Sequence, residues 1–286
     1  MDSRRVIDGL STVLLWAAGF FIMGLLVFFL AYILGQGLPV LSLEFILSPS
    51  KEFEAGGGVG PQLFNTFYIL FLSLLFSVPV GVGAGVYLAE YARPSRLTNL
   101  IRLSTECLAT VPSIVIGLFG LIILVNIMGL GFTILGGAAA LALLNLPVLV
   151  RVTEESLRAV PQTYREASLA LGATRWQTVR RAVLPPALLG LVTGLTLVSG
   201  RAIGEAAVLI YTAGVSVSRH FPDLNPFVAG ETLSVHLWYV RAEGLRPDAD
   251  EIAAGTAALL ILVVLAFNLL IGVPARIYQR RLLGKH

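Results

Sequence analysis

The chain contains few charged residues, a single cysteine and few histidines. Charged residues make up 13% of its 286 residues, compared with about 25% in a typical soluble domain. Cys107 has no second cysteine with which to form an intramolecular disulfide, and the three histidines are too scattered in sequence to form a metal site. No metal is therefore expected, and His220 and His236 are predicted to occupy the surface of an external segment.

The chain also lacks the Gly-x-x-x-x-Gly-Lys-Ser/Thr loop that binds nucleotide phosphates. Its two glycine-rich runs, GGGVG from Gly56 and GVGAG from Gly81, are not followed by the lysine that such a loop needs. Positive charge is limited as well, since the net charge is +3 and the basic residues occur in local groups. These absences argue against a phosphate-loop ATPase in this chain and against a nucleic-acid partner.

Apolar residues are abundant instead. They make up 56% of the chain, and the mean hydropathy is +0.85, which suits a protein surrounded by lipid. A membrane-crossing helix needs about 20 mainly apolar residues, and six stretches are long enough. We predict an all-α integral membrane protein whose residues 1–286 form a single transmembrane domain with spans at approximately 11–34, 66–90, 108–129, 132–151, 186–214 and 253–274.

The basic residues indicate how these spans are oriented. Fifteen of the 20 Lys and Arg residues lie before span one, between spans two and three, between spans four and five, or after span six. Because cytoplasmic segments of membrane proteins are enriched in Lys and Arg, both termini are predicted to be cytoplasmic. The opposite segments, 35–65 and 215–252, are then external and are expected to form an irregular cap.

The cytoplasmic segment 152–185 is too long and too polar to be a minimal connector. Pro161 suits the first turn of a short helix, and Gly172 suits its end. Thr174 and Gln177 have the spacing of a capping box, which would begin a second helix that stops at Pro185. From these patterns alone, the segment could equally be a basic helix pair lying at the lipid surface.

The run EASLALG from Glu166, followed by nine residues and AVLP, resembles the EAA loop of ABC importer permeases. That pattern is Glu-Ala-Ala, three residues, Gly, nine residues and Ile-x-Leu-Pro; Ser168 and Ala182 depart from it. The resemblance implies a type I importer permease fold in which this loop docks into a separate ATPase subunit. Glu166, Ala167 and Gly172 would then couple the chain to that ATPase, which carries ATP and Mg.

Two charged residues lie inside the fifth predicted span, in the run SGRAIGEAAVL. Arg201 and Glu205 are four residues apart, so a continuous helix would place both side chains on one face. A charge at the centre of a span costs about 2.5–3.5 kcal/mol on insertion scales, so a partner or water is expected. The two residues either neutralise each other within the helix or line a transport pathway, and we favour the pathway.

The run GRAIGE, followed by TAG at 212–214, is similar to PstA, the permease family of phosphate-specific importers. The runs GGGVGPQLFNT, PVGVGAGVYLAEYA and TVPSIVIGLFGL also follow that family's pattern, from which Asn65 and Ala206 depart. The resemblance implies that Arg201 and Glu205 serve the anion path. It also implies binding-protein-dependent import of inorganic phosphate across the inner membrane, with a PstC-type sister permease, two ATPase subunits and a phosphate-binding protein.

Two alternative functions remain open from the sequence. Sulfate permeases carry a closely similar Arg-x-x-Gly-Glu run, so a sulfate or molybdate importer would share most of these features. A membrane enzyme or sensor would have Glu106, Glu205 and His236 as its acid-base groups. These three fall at the cytoplasmic edge, inside a span and in an external segment, which does not assemble a catalytic centre, so no enzymatic activity is expected.

Overall fold

The structure is a computed structural model that describes residues 2–51, 55–216, 221–243 and 247–282. Helices dominate, and they follow each other along the chain with short connections. The helices are α1 (Asp2–Gly37), α2 (Leu43–Leu47), α3 (Gly60–Val86), α4 (Arg96–Thr110), α5 (Ser113–Gly120), α6 (Ile134–Arg158), α7 (Gln162–Ala170), α8 (Arg175–Thr178), α9 (Leu184–Ile203), α10 (Ala207–Ile210), α11 (Leu233–Glu243) and α12 (Ala249–Leu282).

The third predicted span, at 108–129, differs most from the observed helices. Residues 108–110 end α4, and α5 then leaves at an angle of 97° and continues through a π-helical turn to Ile127. The bend follows from Pro112, because a proline pushes the residue before it, here Val111, into an extended conformation. The described chain therefore has five helices long and apolar enough to cross a membrane, and up to six if this bent pair forms one span.

The fifth predicted span, at 186–214, is also interrupted. Its helix ends at Ile203, and α10 begins only at Ala207. On the other side, Pro185 does not stop the second cytoplasmic helix as expected, because helical structure runs without a break from Arg175 to Ile203. A π-helical turn over Val179–Val183 precedes the prolines, which occupy the first turn of α9, where their missing N–H groups cost least.

Helix α6 lies at the centre of the domain, and glycines of two other helices pack against it. Side chains at Gly81 and Gly85 of α3 would overlap Leu149 and Thr153 of α6, and one at Gly194 of α9 would overlap Val152. Glycine at four-residue spacing permits this close approach of backbones. The hydrophobic core follows the same arrangement, with Leu141, Leu144 and Ile69 among its buried residues.

Replacing Gly194 by leucine is expected to lower the stability of the domain. The added side chain must displace Val152, and overpacking of this kind costs about 1–3 kcal/mol. The same substitution at Gly272 of α12 is the matched control, because a Cβ there meets no atom within 4 Å. Thermal unfolding in detergent would compare the two variants; equal melting temperatures would contradict the packing described here.

Segment 215–252 was predicted to be an irregular external cap, but it contains a helix. Leu233 and Val240 of α11 are buried with residues of α2 and α12, and Val235 is buried in the main core. His236, expected at the surface, is only 4% exposed. His220 lies outside the described residues. A helix of 11 residues is too short to cross a membrane, so α11 instead closes one end of the helix bundle.

Helix α1 packs against the rest of the domain only near its C-terminal end, mainly against α12. None of the residues in its central apolar window is buried. Its contact with the rest of the domain is at its end, where Gly37 fits closely against Ala254 and Ala258 of α12. The helix therefore extends from the domain as a long apolar arm.

Candidate functional site

The helix that carries the EAA residues stands almost entirely exposed. None of the residues of α7 is buried, and Glu166 and Ala167 face outward. Two leucines near its end are also exposed, Leu169 at 47% and Leu171 at 89%. Apolar side chains on an otherwise polar helix outside the bundle mark a surface that another protein covers.

The end of α7 has the conformation that its sequence predicts. Gly172 has a φ of +78°, which side chains with a Cβ seldom adopt. The N–H of Gly172 donates to the carbonyl of Leu169, and the N–H of Ala173 donates to that of Ser168, which together form a Schellman motif. Past this turn, Thr174 and Gln177 form the predicted capping box at the start of α8.

A largely buried ion pair, formed by one partly buried residue of α7, attaches this helix to the bundle, and sequence reasoning missed it. Arg165 donates to both carboxylate oxygens of Glu90, in the π-helical turn that continues α3, with a shortest distance of 2.6 Å between Nη2 and Oε1. The same guanidinium donates to the carbonyl of Leu157, in the last turn of α6, and to that of Val160, just past the end of this helix. The Arg165 and Glu90 side chains are only 13% and 9% exposed. Arg165 therefore connects α7 to the C-terminal ends of both α3 and α6.

Ser168 has a structural role that the EAA pattern alone did not reveal. Its hydroxyl lies 3.0 Å from the hydroxyl of Thr178 and so joins α7 to α8 across the turn. An alanine, which the family pattern has at this position, could not make this bond. The departure therefore adds a link between the two short helices.

Arg201 and Glu205 were predicted to share one face of a helix, but the structure does not place them on one helix. Because α9 ends at Ile203, Glu205 lies in the break before α10, where its Oε1 accepts the N–H of Val208 at 3.4 Å. Arg201 lies in the last turn of α9 and is exposed. It makes no ion pair with Glu205 or with any other carboxylate in the described ranges. The intrahelical ion pair considered as an alternative is therefore not formed.

A buried polar cluster lies between the start of α3 and the start of α11. Gln62 Nε2 donates to Glu231 Oε2 at 2.8 Å, and His236 Nδ1 lies 3.1 Å from the same oxygen. Asn65, one of the departures from the family pattern, donates to the backbone carbonyl of Glu231. Ser234 then donates to the carbonyl of Glu205 at 2.8 Å. The position of Glu205 is thus fixed by α11 and indirectly by α3.

Glu106 and Thr105 lie apart from this region, in a cavity of about 160 Å³ between α4 and α6. Glu154 of α6 accepts from Arg102 at 2.8 Å and from Arg158 at 2.9 Å there. The cavity contains three arginines and three glutamates, so its charges balance. Glu106, Glu205 and His236 are therefore distributed over different parts of the fold, as their sequence positions predicted.

Solved structures with the same fold identify the class of protein. The chain matches a chain of the MetNI methionine ABC transporter in an inward-facing conformation, with a TM-score of 0.60 at 22% identity, over 74% of this chain and 92% of that one. It also matches a chain of a bacterial alginate ABC transporter, with a TM-score of 0.65 at 16% identity, over 96% and 94%. The chain therefore has the fold found in these ABC transporter structures, as predicted.

A match to a protein-family model shows which family the chain belongs to. The model described as "Binding-protein-dependent transport system inner membrane component" matches residues 81–284. The chain belongs to this family, and is therefore a multi-pass inner-membrane transport subunit, not an enzyme. Curated relatives agree over most of the chain's length.

One of these relatives is the probable ABC transporter permease protein YqgI of Bacillus subtilis, which is 47% identical over 93% of this chain and 94% of that protein. Another is the phosphate transport system permease protein PstA of Haemophilus influenzae, which is 36% identical over 82% of this chain and 81% of its own length. PstA of Pasteurella multocida is 34% identical over 93% of both chains.

Proposed function

We propose that this chain is a permease subunit of an ATP-driven importer of inorganic phosphate and supplies part of the anion path. The observation that carries the proposal is Arg201, an exposed guanidinium in the last turn of a span-length helix with no carboxylate partner in the described residues. A charge at this position is costly unless it serves the substrate. A guanidinium offers a fork of donors that fits a tetrahedral oxyanion. The phosphate-transport names of the PstA relatives support the same substrate.

Glu205 has a different task in this proposal. Its backbone is held by Ser234, and its carboxylate accepts an N–H of α10. A fixed negative charge near Arg201 lowers the affinity of the path for anions, because like charges repel. Phosphate would then be attracted by Arg201 without being held tightly, which favours passage over storage.

The movement of the path is driven from α7. An ATPase subunit that binds ATP and Mg would grip the exposed face formed by Glu166, Ala167 and Leu169. Gly172 would keep this face at a fixed angle to α8, and the ion pair between Arg165 and Glu90 would carry the motion into the bundle. A binding protein would deliver phosphate at the opposite end, near α11.

The unpacked α1 and the exposed Arg201 both support a second permease. The apolar central part of this helix, none of which is buried within the chain, provides a surface for another membrane subunit. The anion path would lie between this chain and a sister permease of the PstC type, and each of the two would engage one ATPase.

Both termini would lie in the cytoplasm, as the distribution of Lys and Arg favours. A thiol reagent that cannot cross the membrane would test this orientation if Leu171 were replaced by cysteine in a Cys107→Ser background and the chain were expressed without the ATPase, since labelling is expected only in inverted vesicles.

The substrate is tested by uptake of labelled phosphate and labelled sulfate into cells with and without this chain, each under starvation for the ion measured. We expect phosphate uptake to be lost and sulfate uptake to be retained. Loss of sulfate uptake alone would replace phosphate by sulfate as the substrate. Retention of both in a strain lacking other phosphate importers would overturn transport of either ion.

Replacing Glu166 by lysine is expected to release the ATPase from the complex. Glu166 is exposed and makes no ion pair among the described residues, so its reversal should leave the fold of the chain intact. Co-purification of the ATPase with the tagged permease measures the effect, and Glu166→Gln, which keeps the shape of the side chain, should retain more ATPase. Full retention of the ATPase by Glu166→Lys would show that Glu166 is not part of the coupling surface.

A further inference from the structure

An apolar groove runs along the side of the bundle where α3 meets α8 and the start of α9. It encloses about 700 Å³, which is within the range of small-molecule binding sites, about 300–1,000 Å³. Its lining is almost entirely apolar and comes from Val78, Pro79, Val82 and Val86 of α3 and from Val179 and Leu184. The groove is separate from Arg201 and Glu205, neither of which lines it.

A glycine forms part of the wall of this groove. Gly83 is exposed, and a Cβ at this position would meet no atom within 4 Å. Gly81 and Gly85, its neighbours on α3, are by contrast pressed against α6. The helix therefore packs on one face and leaves open space on the other, and Gly83 widens that space.

One end of the groove combines aromatic rings with a positive charge. Tyr87, Tyr91, Trp176 and Arg180 line it there. Tyr87 is 58% exposed and Trp176 is 60% exposed. Tyrosine and tryptophan are enriched at the level of lipid headgroups, where their apolar rings and polar tips are both accommodated. This end is therefore expected to lie at the membrane interface, with the apolar remainder extending into the bilayer along α3.

Arg180 is the charged residue among those that line the groove, and it makes no ion pair with a carboxylate of the described residues. Arg181, its neighbour, is also exposed but does not line the groove. An unpaired guanidinium beside an apolar channel complements a ligand with an anionic head and a long apolar chain. Basic pockets between membrane helices bind anionic lipid headgroups in this way.

We propose that this groove binds one anionic phospholipid, with an acyl chain along Gly83 and Val82 and the headgroup phosphate at Arg180. The site also has a mechanical consequence. It is formed jointly by α3 and by α8, which directly follows the coupling helix α7. A lipid bound there joins the coupling region to the bundle, and its occupancy sets how readily α8 moves relative to α3.

The test uses the assembled transporter, purified through this chain, stripped of lipid in detergent and titrated with phosphatidylglycerol or phosphatidylcholine under native mass spectrometry. For the wild type, we expect one phosphatidylglycerol to bind about fivefold more tightly than phosphatidylcholine, as one Arg near an anionic headgroup implies. Arg180→Gln should remove this preference, and Arg181→Gln should keep it. Gly83→Leu should reduce the binding of both lipids by filling the groove, and Gly272→Leu is the control for adding a leucine elsewhere on the lipid-exposed surface.

Three results would overturn the proposal. Equal binding of the two lipids by the wild type would show that no headgroup is recognised. An equal effect of Arg180→Gln and Arg181→Gln would reduce the preference to general surface charge. Loss of another subunit from the mass spectrum of Gly83→Leu would show that a helix of a partner protein, not a lipid, fills the groove. None of these results bears on whether the wild type takes up phosphate, which is measured separately.

Discussion

Replacing Arg201 by alanine is expected to reduce phosphate uptake to the level of cells that lack the chain. The side chain is exposed, carries a full charge and has no carboxylate partner in the described residues, so its removal leaves no buried charge behind. Folding and assembly should therefore be unaffected. Initial rates of labelled phosphate uptake measure the effect, and co-purification of the other subunits verifies assembly.

Two further variants sharpen this experiment. Arg201→Lys keeps the charge but loses the planar fork of donors, and it should restore part of the uptake if the guanidinium binds the anion in a bidentate manner. Arg151→Ala is the control, since this exposed arginine pairs with Glu155 on α6, outside the proposed path and the delivery end. Normal uptake by Arg201→Ala would remove Arg201 from the path altogether.

The second large effect is expected at the ion pair between Arg165 and Glu90. Removing one partner of a buried charge pair costs about 3–5 kcal/mol, because the other charge remains without a partner. Glu90→Gln should therefore lower the melting temperature of the permease. It should also uncouple ATP hydrolysis from uptake, because α7 would no longer be fixed to α3. The ATPase activity and the phosphate uptake of the same reconstituted transporter measure this uncoupling.

A matched control lies on the adjacent helix. Arg151 and Glu155 form an ion pair of similar length, 2.8 Å, but their side chains are 56% and 62% exposed. Exposed pairs of this type contribute little to stability, so Glu155→Gln should leave both melting and coupling unchanged. If Glu155→Gln and Glu90→Gln had the same effect, the burial of the Arg165–Glu90 pair would not explain its contribution to stability and coupling.

The sequence predicted best the features that depend on neighbouring residues. The end of α7 at Gly172 and the capping box of Thr174 and Gln177 were both correct, because each requires only a few adjacent residues. The family and the helical membrane fold were also correct, since long apolar stretches and the EAA pattern are written directly in the chain.

The features that the sequence did not predict depend on contacts between distant residues. Arg165 and Glu90 are 75 positions apart, and no local pattern connects them. The break at Gly204 that separates Arg201 from Glu205 was missed because the run continues to look apolar on both sides. The short α11 was predicted to be part of an irregular cap because its segment contains Pro and Gly and has no strong periodic pattern, and only packing against the rest of the bundle buries its apolar residues.

The unpacked α1 determines how this protein can be assembled. In water, a helix with its apolar surface exposed on every side would aggregate, but hydrocarbon chains are as apolar as leucine, so in the bilayer the same surface carries no penalty. The chain can therefore be inserted and remain in the membrane before any other subunit arrives. Assembly in either order becomes feasible, and the meeting of the subunits is a diffusional event within the plane of the membrane rather than a step of insertion.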